Sequence, residues 1–428
     1  MRRKEYGFVS ILELIIVAVC LFSSTVTDAE LYAGIAVRDV TPDPLLPVSG
    51  GIGPSKAVKE KIGKLTVRAM VLENSGTRVA ICSTDFLGFP GVLCDRVRAR
   101  VSTIKPENIL IGATHTHSAP DCYGFPDGNG KSTIDIEYVN GVCAKLADAI
   151  NEATARLQPA RIKIATGEAK GKIAYNYYAE QLYDPRCNVI QAIDTQDRPL
   201  ATLVNYACHP EVIGSNQGIL CPDFMGPLYD RIKERDGGIG IFMNGAQGGM
   251  VTADCRGPDG EDIRTWDECI RIGCLLADES LRIVADAPLM TNPDLFCAST
   301  TVRFPVENEL LLAIVKLSPL GFELDEGRYT TSQVNVVNIA NAQILTIPGE
   351  ALPNIGYYLR RKMHGGHNFL FGLTNDAFGY ILTKVDWNSF ERYGYISETC
   401  LGEMTGEIFI EQAVNFIDKC PRPVSVTN

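Results

Sequence analysis

Short, nearly continuous apolar runs bounded by turn residues alternate along this chain with longer stretches in which apolar residues recur at three- and four-residue spacing. Runs such as Val79-Ala80-Ile81-Cys82, Ile109-Leu110-Ile111, Ala201-Thr202-Leu203-Val204, Ile344-Leu345-Thr346-Ile347 and Phe369-Leu370-Phe371 predict buried strands. The other periodicity predicts helices over Glu137–Leu157, Trp266–Ala287 and Gly402–Lys419, whose apolar stripes face a core. Pro353, just inside the segment Leu352–Met363, suits the first turn of a further helix. The mixture predicts an α/β fold of layered β-sheets flanked by α-helices. No low-complexity linker, internal repeat or charge block divides the chain, so residues 30–428 are expected to form one large domain.

Composition narrows the class of partner. The formal net charge of −11 over 428 residues argues against nucleic acid and against strong attraction to anionic lipid. Arg2, Arg3 and Lys4, followed by the apolar stretch Ile11–Phe22 and then small and polar residues, read as an export signal over residues 1–29, with cleavage after Ala29 or retention as an anchor. The protein is therefore expected outside the cytoplasm. Its fourteen cysteines include Cys20 in the leader and show no Cys-x-x-Cys pair or zinc-finger spacing. Cys82, Cys143, Cys208 and Cys274 read as buried small hydrophobes. Cys122, Cys187, Cys255, Cys400 and Cys420 are the better disulfide candidates.

The chemistry gathers at histidine. The chain has five, and two of them stand in Thr114-His115-Thr116-His117, directly after an apolar run. In extended geometry residues i and i+2 face the same way, so both imidazoles can converge on one point. His209 closes another run, Val204-Asn205-Tyr206-Ala207-Cys208, before Pro210 turns the chain away. Zinc takes nitrogen and oxygen ligands, and a hydrolytic site keeps one position open for water. Glu350, exposed by the Pro348-Gly349 turn, is a candidate oxygen ligand, with a solvated turn glutamate as the alternative. Asp85, after a third run, can stand behind a metal-bound histidine. His364 and His367 flank Gly365-Gly366 and read as surface residues; Tyr380 by itself reads as core.

Seven segments occur in the order found in the neutral/alkaline non-lysosomal ceramidase family, which the chain resembles. They are GIAVRDVTPD, LTVRAMVLE with TRVAICSTDFLG, ILIGATHTHSAPD, LVNYACHPEVIG, NGAQGG, ILTIPGEALPNIGYYLR and GLTNDAFGYILT. The resemblance implies a zinc ion held by His115, His209, Glu350 and Tyr380. It makes His117 a substrate-facing residue that handles a proton or stabilises the carbonyl oxygen, and it places Asp223 and Asn244 in the pocket lining. Two departures stand out. The family's Gly-Asp-Val-Ser-Pro motif, whose serine is implicated in catalysis, is replaced by Gly248-Gly249-Met250-Val251-Thr252. Thr252 is the remaining hydroxyl, one residue late, and on a strand that displacement turns it to the other face. The sequence also stops at Asn428, without the family's C-terminal immunoglobulin-like domain.

A mechanism survives the loss of serine, because a metal alone lowers the pKa of water from about 15.7 to about 7. The expectation is an exported zinc-dependent amidohydrolase cleaving the N-acyl bond of ceramide or a related N-acylated lipid or amine. It would meet a membrane surface through its substrate; no protein partner is inferred. The competing readings are a TIM-barrel amidohydrolase, whose signature also starts with His-x-His, and a catalytically silent binding protein.

Overall fold

The computed structural model describes residues 30–424 apart from positions 128 and 133, so the expected signal segment lies outside the described residues. Its strands include β1 (Tyr32–Asp39), β2 (Thr66–Asn74), β3 (Thr77–Thr84) and β4 (Ile109–Ala113), then β5 (Gln158–Glu168), β6 (Arg186–Asp194), β7 (Pro199–Tyr206), β8 (Ile239–Asn244) and β9 (Val251–Ala253). The later strands are β10 (Leu295–Pro305), β11 (Tyr329–Ile339), β12 (Ala342–Thr346), β13 (Glu350–Ala351), β14 (His367–Phe371) and β15 (Tyr380–Ile381). The helices of eight or more residues are α1 (Gly91–Arg98), α2 (Ile136–Ala155), α3 (Met225–Glu234), α4 (Trp266–Ala285), α5 (Glu309–Leu317), α6 (Pro353–Lys362) and α7 (Thr405–Lys419).

Eight strands form one sheet in the order β8-β7-β6-β5-β1-β2-β3-β4, antiparallel except for the parallel pairs at its two edges. A second sheet, β10-β11-β12-β14, packs against its inner face, and Ile81, Leu110, Leu203, Ile241, Ile344 and Phe369 fill the space between them. Strands in this sandwich are covered on both sides, which is why β3 reads as an unbroken apolar run rather than an alternation. Ala80 and Cys82 face α1 and α2, while Val79 and Ile81 face the second sheet. Helices α3 and α4 cover the β5–β8 half of the outer face, and α6 and α7 cover the far side of the second sheet. The layered α/β architecture read from the sequence is therefore present. A TIM barrel, with eight parallel strands closed into one barrel, is not.

Local signals explain the helix limits. Asp135 caps α2 by accepting from Tyr138 N at 2.8 Å, a contact worth about 1 kcal/mol. Its stripe Val139, Val142, Leu146 and Ile150 is buried, each side chain contributing about 1.5–3 kcal/mol by leaving water. Pro353 opens α6 at its first turn as expected. The segment 402–404 is a turn, and α7 starts only at Thr405.

The large sheet curls until its two edges meet. Ser83 Oγ donates to Phe242 O at 2.6 Å, and a Cβ on Gly112 would lie 2.6 Å from Met243 Cε, so the two edges are in close contact. The curl brings the C-terminal ends of β4, β7 and β8 to one place, and the functional histidines follow two of those ends.

Candidate metal centre and its pocket

Asn244, the last residue of β8, ties the strand ends together. Its amide donates to Thr114 O at 3.0 Å and to Cys208 O at 2.8 Å, while its Oδ1 accepts from Cys208 N at 3.1 Å and Gly245 N at 2.8 Å. Two donors and two acceptor sites are the whole capacity of an asparagine side chain, and all are used on backbone. Asn244 is fully buried and fixes the residues immediately before His115 and His209.

His115 lies beyond the end of β4 in the left-handed region, at φ 76°. The extended geometry expected for Thr114–His117 is thus absent, and the bend is what points the ring inward. The imidazole centroids of His115 and His117 are 4.8 Å apart, those of His115 and His209 4.7 Å, and those of His117 and His209 5.7 Å. One nitrogen from each of the three lies within 4.8 Å of the others, a group that can hold a metal ion.

The hydrogen bonds behind the rings set their tautomers. His115 Nδ1 faces Leu87 O, and His209 Nδ1 lies 2.8 Å from Val251 O. A carbonyl oxygen only accepts, so each Nδ1 carries a proton, and in the neutral ring Nε2 presents a lone pair. Both lone pairs face the same atom: Glu350 Oε2 is 3.4 Å from His115 Nε2 and 3.1 Å from His209 Nε2. Two neutral acceptors and a carboxylate oxygen at such distances repel unless a cation joins them. The donor set of two nitrogens and one oxygen fits a zinc-type ion. Burial alone would raise the Glu350 carboxyl; positive charge at His115 and His209, whether a proton on Nε2 or a cation in its place, holds it well below the usual carboxylate range.

Glu350 begins β13, which pairs in parallel with β15 so that Glu350 and Tyr380 are register neighbours. A Cβ on Gly248 would come within 2.3 Å of Glu350 O, so the glycine-rich turn before β9 lets the backbones touch. The Tyr380 hydroxyl donates to Met250 Sδ at 3.1 Å, and burial raises its pKa well above the usual phenol value.

The remaining sequence candidates fall in different places. His117 lines the pocket, with Nε2 buried and unpartnered; burial pushes its pKa down to about 3 against the opposing pull of Glu211. Thr252 on β9 does turn toward the centre, its hydroxyl 2.6 Å from Glu211 Oε1, while Val251 is buried in the core behind α3 and α4. Asp223 is fully buried and accepts from Ile213 N and Phe224 N, each at 2.9 Å, holding the loop after His209. Asp85 accepts from Thr66 N at 2.8 Å, Thr66 Oγ1 at 2.6 Å and Tyr229 OH at 3.3 Å; none of these partners is a histidine. His364 lies 3.4 Å from Asp418 and His367 3.0 Å from Thr166, away from the three-histidine group.

Sequence reading missed Glu211. It stands two residues after His209, the same spacing that drew attention to His117 after His115, and that was the available signal. The disulfide candidates fare differently: Cys122, Cys187, Cys255, Cys400 and Cys420 are all free thiols, as is every described cysteine. Most are packed into the apolar cores, where they act as small hydrophobes.

A cavity of about 120 Å³ opens onto this group. His115, His117, Glu350 and Tyr380 line it together with apolar residues that include Leu87, Leu311, Ile314 and Phe378. Tyr123 and Phe125 stack at 4.7 Å on one side, held by Asp121, which accepts from both of their backbone amides at 2.7 and 2.8 Å.

Fold and site together define a layered α/β protein with a buried histidine–carboxylate centre, able to hold a metal ion, beside an apolar pocket. The fold is that of neutral ceramidase. The crystal structure of neutral ceramidase from Pseudomonas aeruginosa matches 94% of this chain with a TM-score of 0.73 at 18% identity, using 76% of its own chain. A ceramidase complexed with C2 matches the same share with the same score and identity, over 77% of its length. In sequence, the neutral ceramidase of Pseudomonas aeruginosa is 24% identical over 179 residues, a stretch that covers 37% of this chain and only 27% of that protein. No family model matches the chain.

Proposed function

We propose that this protein is an exported zinc-dependent amidohydrolase that cleaves the N-acyl bond of ceramide or a related N-acylated lipid or amine. The observation that carries this reading is the convergence of His115 Nε2 and His209 Nε2 on Glu350 Oε2 beside an apolar pocket. His115, His209 and Glu350 would hold the ion, with Tyr380 as the fourth residue. When bound, zinc would acidify water and polarise an amide carbonyl.

The protein's own residues do the rest. Leu311, Ile314 and Phe378 take up the acyl chain and exclude water, placing the amide at the polar end. His117, held neutral by burial, accepts a proton at Nε2 from the attacking water and returns it to the departing amine. Neither role needs a serine at Val251 or an aspartate at Gly249.

The test is purified protein assayed for metal by elemental analysis and for fatty acid released from a panel of N-acyl lipids and amines. One zinc per chain with chelator-sensitive release supports the reading. Bound zinc without release from any substrate points instead to a silent binding protein.

A further inference from the structure

The three histidines differ in what stands behind them. The Nδ1 atoms of His115 and His209 face backbone carbonyls, whereas His117 Nδ1 lies 3.4 Å from a carboxylate oxygen, Glu211 Oε2. The other oxygen of Glu211 accepts from Thr252 Oγ1 at 2.6 Å. Backbone bonds hold the same corner: His117 N donates to Pro210 O at 3.1 Å, and Arg264 donates to Glu211 O at 3.1 Å. The Glu211 side chain is 19% exposed and that of His117 13%, so water screens the pair weakly.

A carboxylate behind an imidazole does two things that a carbonyl does less well. It selects the Nδ1–H tautomer, and it stabilises the imidazolium when Nε2 takes a proton. We propose that Glu211, held by Thr252, is a positioning residue that acts through His117, keeping its unpartnered Nε2 free to handle the proton. The inference rests on the hydrolase reading above. It also gives a place to the departure at Gly249 and Val251: a carboxylate and a hydroxyl are present beside the centre, but they come from Glu211 and Thr252. The proposal assigns no covalent step to Thr252, whose hydroxyl serves to hold Glu211.

The test uses the zinc-loaded protein and three variants. With only five histidines in the chain, nitrogen NMR can assign the His117 tautomer directly. Wild type is expected to show Nδ1–H. In Glu211→Gln the side-chain amide can donate to Nδ1, so the tautomer should invert, and kcat should fall by about 10²- to 10⁴-fold with zinc content and KM within about twofold. Thr252→Val should keep the tautomer and lose at most about tenfold in kcat, with Thr252→Ser restoring it. An unchanged tautomer in Glu211→Gln, an inverted tautomer with kcat within about threefold, or an acyl-threonine ester trapped at Thr252 would each overturn the proposal. If wild type releases no fatty acid, the hydrolase reading fails, and the tautomer alone decides whether Glu211 orients His117.

Discussion

His209 and Glu350 are 141 residues apart in the chain, yet His209 Nε2 lies 3.1 Å from Glu350 Oε2 with no proton of its own to offer in the neutral tautomer. The contact makes sense as two ligands of one cation. Purified protein should therefore carry about one zinc, and His209→Ala should lose most of it, since removing one of the proposed ligands opens the site. Elemental analysis that finds unchanged zinc in this variant would end the proposal.

His115 and His117 should separate in the same experiment. His117→Ala should retain zinc while turnover drops by about two to four orders of magnitude, the scale of a lost acid–base group. His115→Ala should lose the metal. The reverse pattern would assign the two residues the other way round.

Asn244 does not line the pocket, contrary to the expectation from the resemblance, because its side chain is spent on four backbone bonds between the strand ends. Asn244→Ala leaves buried carbonyls and amides unpaired at about 1–3 kcal/mol each, so a loss of about 3 kcal/mol or more is expected in urea unfolding. Asn244→Asp should be no milder, because a carboxylate oxygen would then face Thr114 O and Cys208 O. A loss below about 1 kcal/mol in both would show that the strand ends are held by something else.

On the proposed function, the pocket wall formed by α5 would set which acyl chains fit. Ile314→Trp should fill part of the cavity and lower kcat/KM for long-chain substrates by about tenfold or more while sparing an acetyl amide, since lost apolar contact and steric exclusion grow with chain length. Equal effects on both substrates would place the acyl chain elsewhere.

Stability should also depend on Asp121. Burial raises its pKa to about 6 even though the amides of Tyr123 and Phe125 pull it down. A carboxyl that is raised on folding, from about 3.9 when unfolded, stabilises the fold fully below the unfolded value and loses that contribution as pH climbs through the folded one. Unfolding free energy should thus decline between about pH 4 and pH 6, by no more than about 3 kcal/mol from this group. Asp223, raised by burial to about 6, adds to the same slope. Asp121→Asn should flatten the decline measured by denaturant titration; an unchanged slope would mean that Asp121 titrates normally.

The sequence by itself determined the class of element at each point and the residue types available for chemistry. Apolar runs marked β3, β4, β7 and β12 because both faces of those strands are covered, and helical spacing marked α2 and α4 because only one of their faces is. Those signals are local, and so was the warning that Thr114–His117, His209 and Glu350 follow buried runs. What the sequence left open was geometry at a distance. Only the curl of the large sheet brings Asn244 against Thr114 and Cys208, and only the left-handed bend at His115 aims that ring, against the extended arrangement its spacing had implied. Thr252 likewise looked misplaced by one residue on a strand, until the turn at Met250 and the neighbouring Glu211 gave its hydroxyl a partner. Tertiary structure decided these points because hydrogen bonds between segments far apart in sequence leave no periodicity to read.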